Sequence, residues 1–345
     1  MAAMNTRNPA LPCLGLALAI ASIGCQPRPD RPAGVVTQSR PVMGTLANIT
    51  AVAADDDDAA AAVEAAYAAF NNVNRLMSDY APDSDVGRIN AAPANTPVAV
   101  APETFTVIHH AVAFASITNG AFDITCRPLV QIWKQAGRNN RLPTQADIDG
   151  ALQAVGAAKL KLDPGAKTVA KPLHAMQIDL GGIAKGYAID LAVDAMKQAG
   201  ASAGLVDLGG NVKTFGQAPS HAPWQVGVRH PFNPNGIFAK LQLTDRAVAT
   251  SGLQQRFNTI EGRRYSHIVD PRTGRPADQA PSVTVIAPDG LATDVWATAL
   301  SVLTVDQGKA LVADHPDIDA LWIWGDPDDI HTAQTPGFNR HRTAE

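Results

Sequence analysis

The sequence is short of cysteine, of aromatic residues and of charge. Of 345 residues, three are cysteine, 5% are aromatic and 17% are charged, against about 25% charged in an average soluble protein. Cys13 and Cys25 fall close to the N-terminus, which leaves Cys126 alone in the body of the chain. A single thiol forms no internal disulfide, so the fold must rest on its apolar core, and at 46% hydrophobic there is material for one or two domains. Cys126 has no His or Lys beside it in sequence and reads as a small buried residue, not a nucleophile. Lys and Arg form no block or stripe, the net charge is −4 and the pI is near 6.1, so nucleic acid is not the partner. There is no G-x-S-x-G elbow and no Walker A loop.

The apolar run at residues 11–24 is too short to cross a membrane and ends in small residues before Cys25. Ser22-Ile23-Gly24-Cys25 resembles a bacterial lipoprotein cleavage box with Ser22 where leucine is usual. Residues 1–24 therefore read as a lipoprotein-type signal peptide, with Cys25 diacylated. An ordinary secretory signal cut nearby is the other reading, and both export the protein to the periplasmic side of a bacterial membrane. Pro27, Pro29 and Pro32 make residues 25–39 an extended tether, and the folded domain is expected over residues 40–330 with a polar, loose tail at 331–345.

Within that domain helical and alternating patterns intermingle, as in an α+β fold with mixed or antiparallel sheets flanked by helices. Asp55 to Asp58 head an alanine-rich helix whose Val63, Tyr67, Phe70, Val73 and Met77 recur at helical spacing. A second amphipathic helix spans Pro102 to Ile117, and Thr144 with Asp147 makes a capping-box pattern. Residues 224–250 alternate as antiparallel strands.

The stretch Met176-Gln177-Ile178-Asp179-Leu180-Gly181-Gly182-Ile183-Ala184-Lys185-Gly186 reads as a strand, a glycine turn and the start of a helix. Such a turn with a lysine in it suits a phosphate, whose charge the unpaired N–H groups of the first helical turn would meet. Tight strand–helix packing accounts for the same glycines, and the residues leave both readings open. Val206-Asp207-Leu208-Gly209-Gly210 echoes the pattern, so the two turns are expected in one strand–helix–strand unit facing one ligand. Asp294 and Thr298 share a helical face, placing a carboxylate and a hydroxyl one turn apart, as a hard cation or a local cap would use them. His267, at the end of a strand, is either a general base or a structural residue.

Together these motifs resemble the ApbE family, the FAD:protein FMN transferases. The resemblance is carried by Met43-Gly44-Thr45, the 77–86 loop, Arg88-Ile89-Asn90, and residues 120–125 with Pro128, Leu129 and Trp133. It continues through residues 179–190, Leu208-Gly209-Gly210-Asn211, residues 266–276 and residues 294–300. It implies an exported, Mg²⁺-dependent enzyme that cleaves FAD and attaches FMN to a Ser or Thr of a partner protein, releasing AMP. The implied acceptors are Ser/Thr-Gly-Ala-Ser/Thr motifs in subunits of membrane redox complexes. By motif position, Met43, Tyr80, Ala121, Phe122, Asp123, Asp179, Lys185 and Ile268 would contact FAD. The backbone carbonyl of Gly182, with Asp294 and Thr298, would hold Mg²⁺, and His267 would take the acceptor's proton. Tyr80 is the aromatic residue of the transferase branch, favouring transfer over hydrolysis of FAD to FMN and AMP. Ala297 stands where many members carry a hydroxyl or an acid, which implies one metal ligand fewer. The rival readings are an FAD pyrophosphatase and a non-catalytic, lipid-anchored flavin-binding protein.

Overall fold

Met43 and Gly44 both take left-handed backbone angles, φ 50° and 69°, as a two-residue turn matched to strand twist requires. They join strands β1 (Gly34–Val42) and β2 (Thr45–Ala53), paired from Gly34 opposite Ala53 to Val42 opposite Thr45. The computed structural model describes residues 34–252, 257–277 and 282–343. The proposed signal peptide and Cys25 lie outside these residues. Because β1 starts at Gly34, the fold begins ahead of the expected boundary at residue 40: residues 34–39 are strand, not tether.

After the hairpin come helices α1 (Asp56–Met77) and α2 (Asp85–Ala91), strand β3 (Val98–Ala99), and helices α3 (Pro102–Ile117), α4 (Arg127–Asn139) and α5 (Gln145–Gln153). Strands β4 (Lys161–Asp163) and β5 (Thr168–Ala170) join β3 in a small sheet and lead to α6 (Ala184–Gln198). Then follow β6 (Ala203–Leu208), β7 (Asn211–Phe215), β8 (Trp224–Arg229), β9 (Ile237–Leu243), β10 (Ala247–Ser251), β11 (Phe257–Ile260) and β12 (Arg263–Ser266). Strand β13 (Ser282–Ala287), helices α7 (Gly290–Val302) and α8 (Val305–Val312), and strands β14 (Asp319–Gly325) and β15 (Ile330–Gln334) complete the order. The main sheet runs β1-β2-β6-β7-β10-β13-β14-β15, and every neighbouring pair is antiparallel.

Both faces of this sheet are covered, which is why β13 and β14 are apolar at successive positions. Val283, Val285, Ala320 and Trp322 point into the core under α1, α6 and α7; Ile286, Leu321 and Ile323 point into a second core beneath β8 and β9. Strand residues alternate in direction, so a strand buried on both sides is apolar on both faces except where a polar side chain finds a partner, as Thr284 of β13 does in Thr250 at 2.9 Å. Helix α1 brings Val63, Tyr67, Phe70, Val73 and Met77 to the first core, all buried, and each large side chain hidden this way stabilises the fold by about 1.5–3 kcal/mol. Asp55 caps this helix, accepting from Asp58 N.

The expectation of a loose tail fails. Phe338 is fully buried in the second core, and Asp319 meets Thr335 Oγ1 at 3.1 Å and His341 Nε2 at 3.0 Å. The sequence signal for this docking is Phe338, an aromatic residue in a polar segment.

Residues 176–180, expected as a strand, have a single isolated bridge, Gln177 to Cys126. Side chains stand in for the missing ladder: Asn90 Oδ1 accepts from Ile178 N at 2.7 Å, and its Nδ2 donates to Ile178 O at 2.9 Å. Beneath it Lys171, 1% exposed, donates to the carbonyls of Asn90, His174 and Met176 at 2.7, 2.9 and 2.9 Å. Burial pushes the Lys171 ammonium below its ordinary pKa, so charging it costs stability at neutral pH, and that cost lifts as pH rises through the lowered value. The bonds still make it a net clamp: Lys171→Met leaves three carbonyls without their donor and is expected to destabilise by about 2–3 kcal/mol. Urea unfolding reads this directly, and an unchanged midpoint would contradict it.

Candidate active site

Helices α6 and α7 cross at two glycines. A Cβ on Gly186 would sit 2.1 Å from Gly290 O, and one on Gly290 would sit 2.5 Å from Gly186 O. Glycine at both positions lets the backbones touch, and the crossing sets Lys185 of α6 against Asp294 of α7. Lys185 Nζ lies 3.3 Å from Asp294 Oδ1 and 3.1 Å from Gly181 O. The other carboxylate oxygen of Asp294 accepts from Gly186 N at 2.9 Å, and Thr298 Oγ1 donates to the Asp294 carbonyl at 2.9 Å. Asp190 secures the crossing, accepting from Gly290 N at 2.7 Å and Leu291 N at 2.9 Å while meeting Lys213 Nζ at 2.6 Å. Burial is the larger influence on it and pushes its pKa up despite Lys213.

Of the two readings of the turn before α6, its hydrogen bonds fit tight packing. Ile183 N and Ala184 N both donate to Leu180 O, Gly181 N donates to Asp179 Oδ1 at 2.7 Å, and Gly186 N is taken by Asp294. These N–H groups serve the turn and the α6–α7 crossing, and the cation offered here is the Lys185 ammonium. Gly182 lies where a Cβ would stand 3.2 Å from the Phe122 ring and 3.3 Å from Thr298 Oγ1, so its backbone abuts the Asp294–Thr298 face.

One cavity of about 700 Å³ gathers the rest. Met43, Tyr80, Ala121, Phe122, Asp123, Asp179, Gly182, Lys185, His267, Ile268, Asp294 and Thr298 all line it. The volume falls in the range of small-molecule sites. Asp179 is tied to the Phe122 loop, its N donating to Ile124 O at 2.8 Å. Asp123, buried, spends its carboxylate inside the protein: Oδ1 accepts from Thr125 N at 2.7 Å and Oδ2 from Ala157 N at 2.8 Å. Tyr80, 83% exposed, stands at the rim. Ala297 is fully buried in the core and its methyl group is not part of the lining.

Residues that were not candidate site residues complete the lining. Asp79 pairs with Arg127 Nη1 at 2.8 Å; burial, followed by the charge of Asp179, raises its pKa. Cys126 is half-buried on the same wall, and burial, then Asp179 and Asp123, push its thiol well above the ordinary range. It is an un-ionised wall residue of the cavity, half-buried where its sequence surroundings suggested a buried one. One end of the cavity is thus carboxylate-rich, suited to hydroxyl and amine donors, while Lys185 supplies positive charge. The echoed Gly209-Gly210 pair closes a β6–β7 hairpin and does not start a helix, but Gly209 and Asn211 reach the same cavity.

The oxygens of Asp294, Thr298 and Gly182 form a hard donor set. Among the described residues no group of three or more His, Cys, Asp or Glu gathers as a metal cluster. A cation here would accordingly need hydroxyl and carbonyl oxygens beside its one carboxylate.

The sequence profile of the ApbE family matches residues 43–322. The FAD:protein FMN transferase of Vibrio cholerae is 31% identical over 318 residues, covering 90% of this chain and 92% of its own. The solved flavin transferase ApbE from Vibrio cholerae superposes with a TM-score of 0.79 at 30% identity, over 90% of this chain and all of that one (100%). The apbe protein of Thermotoga maritima gives 0.80 at 31% identity, over 90% of this chain and 100% of its own. Sequence, topology and cavity therefore agree, and the chain belongs to the ApbE family.

Proposed function

We propose that the chain is an FAD:protein FMN transferase that uses Mg²⁺ to break the pyrophosphate of FAD and esterify a Ser or Thr of a partner protein. The carrying observation is that the residues chosen from sequence motifs far apart in the chain line one cavity, with Lys185 and Asp294 meeting at 3.3 Å within it. FAD would lie with its pyrophosphate toward Lys185 and with apolar contact from Met43 and Phe122 over its ring. Carboxylates such as Asp179 would accept from its hydroxyls.

In the reaction the acceptor hydroxyl oxygen forms a bond to the FMN phosphorus as the bridging P–O bond breaks, and AMP departs with that oxygen and its electron pair. His267 takes the hydroxyl proton, since a hydroxyl at its free pKa is a weak nucleophile. Lys185 offsets negative charge on the phosphates. Asp294, Thr298 and the Gly182 carbonyl would hold Mg²⁺, which when bound polarises the phosphoryl oxygens.

The acceptors we propose are Ser/Thr-Gly-Ala-Ser/Thr motifs in membrane redox subunits. Export and lipidation of Cys25 would hold the enzyme beside them, with residues 25–33 as tether. The described residues contain no helix long and apolar enough to cross a membrane.

The test incubates purified protein with FAD, Mg²⁺ and a Thr-containing acceptor peptide. In-gel flavin fluorescence on the peptide is the expected result. Free FMN and AMP beside an unlabelled peptide would replace transfer with pyrophosphatase activity; FAD recovered intact would leave a binding module.

A further inference from the structure

Asn211 opens β7 directly after the Gly209-Gly210 turn, whose left-handed angles, φ 62° and 94°, fix where the strand starts. Gly209 N donates to Leu46 O at 3.0 Å, and Thr45 packs so closely that a Cβ on Gly209 would sit 2.4 Å from its Oγ1. The β6–β7 turn is thereby locked to the β1–β2 turn that carries Met43, and Asn211 is held on the cavity wall. It is 4% exposed, and its Nδ2 is buried without a hydrogen-bond partner. Among the described residues, the other buried side-chain atoms without a partner belong to Arg127, Gln177 and Trp322, none of which lines the cavity.

A buried amide N–H₂ without a partner is costly, and native proteins leave few. The group is a donor only, so it cannot ligate a cation; it calls for an acceptor atom on whatever fills the cavity. We infer that Asn211 is a ligand-binding residue, donating a hydrogen bond from Nδ2 to an acceptor atom of the bound dinucleotide. The inference rests on the reading of the cavity as an FAD site and adds a contact to it. Because the free protein draws no bond from this nitrogen, its removal separates binding from stability.

The experiment measures FAD affinity by calorimetry and the thermal midpoint of the ligand-free protein for wild type, Asn211→Ala and the near-isosteric Asn211→Leu and Asn211→Asp. Asn211→Ala is expected to weaken FAD about tenfold, the value of one hydrogen bond to a buried donor, with the ligand-free midpoint unchanged or raised. Asn211→Asp, which replaces the donor with a charged acceptor, should weaken FAD further. Riboflavin and AMP titrated separately then show which half of FAD is contacted, through the fragment whose affinity falls. FAD affinity equal to wild type in any folded variant overturns the inference, as does a fall in ligand-free midpoint without a loss of affinity, which marks a structural role. Should wild-type protein itself bind no FAD, the cavity reading fails first and this contact with it.

Discussion

Asp294→Ala is expected to lower flavin transfer by about 10³-fold or more, the scale on which preorganised charge at a phosphoryl centre acts. This carboxylate holds three things at once. It faces Lys185 Nζ at 3.3 Å, accepts from Gly186 N at 2.9 Å, and is the one carboxylate in the Asp294–Thr298–Gly182 donor set. It is only 4% exposed, so alanine also leaves the Gly186 N–H buried and unsatisfied, a loss of about 1–3 kcal/mol. Asp294→Asn separates the two effects, since its amide oxygen can still accept from Gly186 N while the negative charge is gone. The asparagine variant should therefore unfold near the wild-type midpoint yet lose its dependence on added Mg²⁺ together with its turnover. Full Mg²⁺-dependent activity in either variant would remove the metal site from this face of α7.

The helices, and many of the residues that line the cavity, are legible because each carries a local signature. The periodic face of α1, the capping box at Thr144 and the Pro102–Ile117 boundaries follow from residues a few positions apart. What the sequence did not reveal depends on contacts between distant segments. Gly186 looks like part of a phosphate turn, but its physical reason is Gly290, on another helix, whose carbonyl leaves no room for a Cβ. The 176–180 segment reads as a strand because its alternation is right; the backbone bonds of Ile178 at its centre go instead to the side chain of Asn90. The glycine pairs at 181–182 and 209–210 look alike in sequence, although one is followed by α6 and the other by β7. Asn211 sat in plain view within a motif, but only burial marks its amide as unspent.

His267→Ala is expected to abolish measurable labelling of the acceptor, a fall of about 10²–10⁴-fold, the usual worth of a positioned general base. The side chain follows directly on β12, on a segment braced from both sides. Ser266 Oγ accepts from Ile268 N at 3.0 Å, Val269 bridges to Pro276, and Trp133 Nε1 donates to Gly274 O at 2.8 Å. Arg272 locks the turn between them through two side-chain bonds to Asp270, at 2.9 and 2.8 Å, and the Asp270 carboxylate raises the pKa of the Arg272 guanidinium. With the backbone fixed in this way, removal of the imidazole should leave the wall in place and FAD affinity within about twofold of wild type. The loss should fall on the transfer step and not on binding. Added imidazole, small enough to enter the vacated space, should restore part of the labelling in His267→Ala and none in Asp294→Ala, because the first lacks a base and the second lacks charge at the phosphates. Labelling of the acceptor at the wild-type rate by His267→Ala would show that the hydroxyl loses its proton elsewhere, and the neighbouring carboxylates of the cavity would be the next to test.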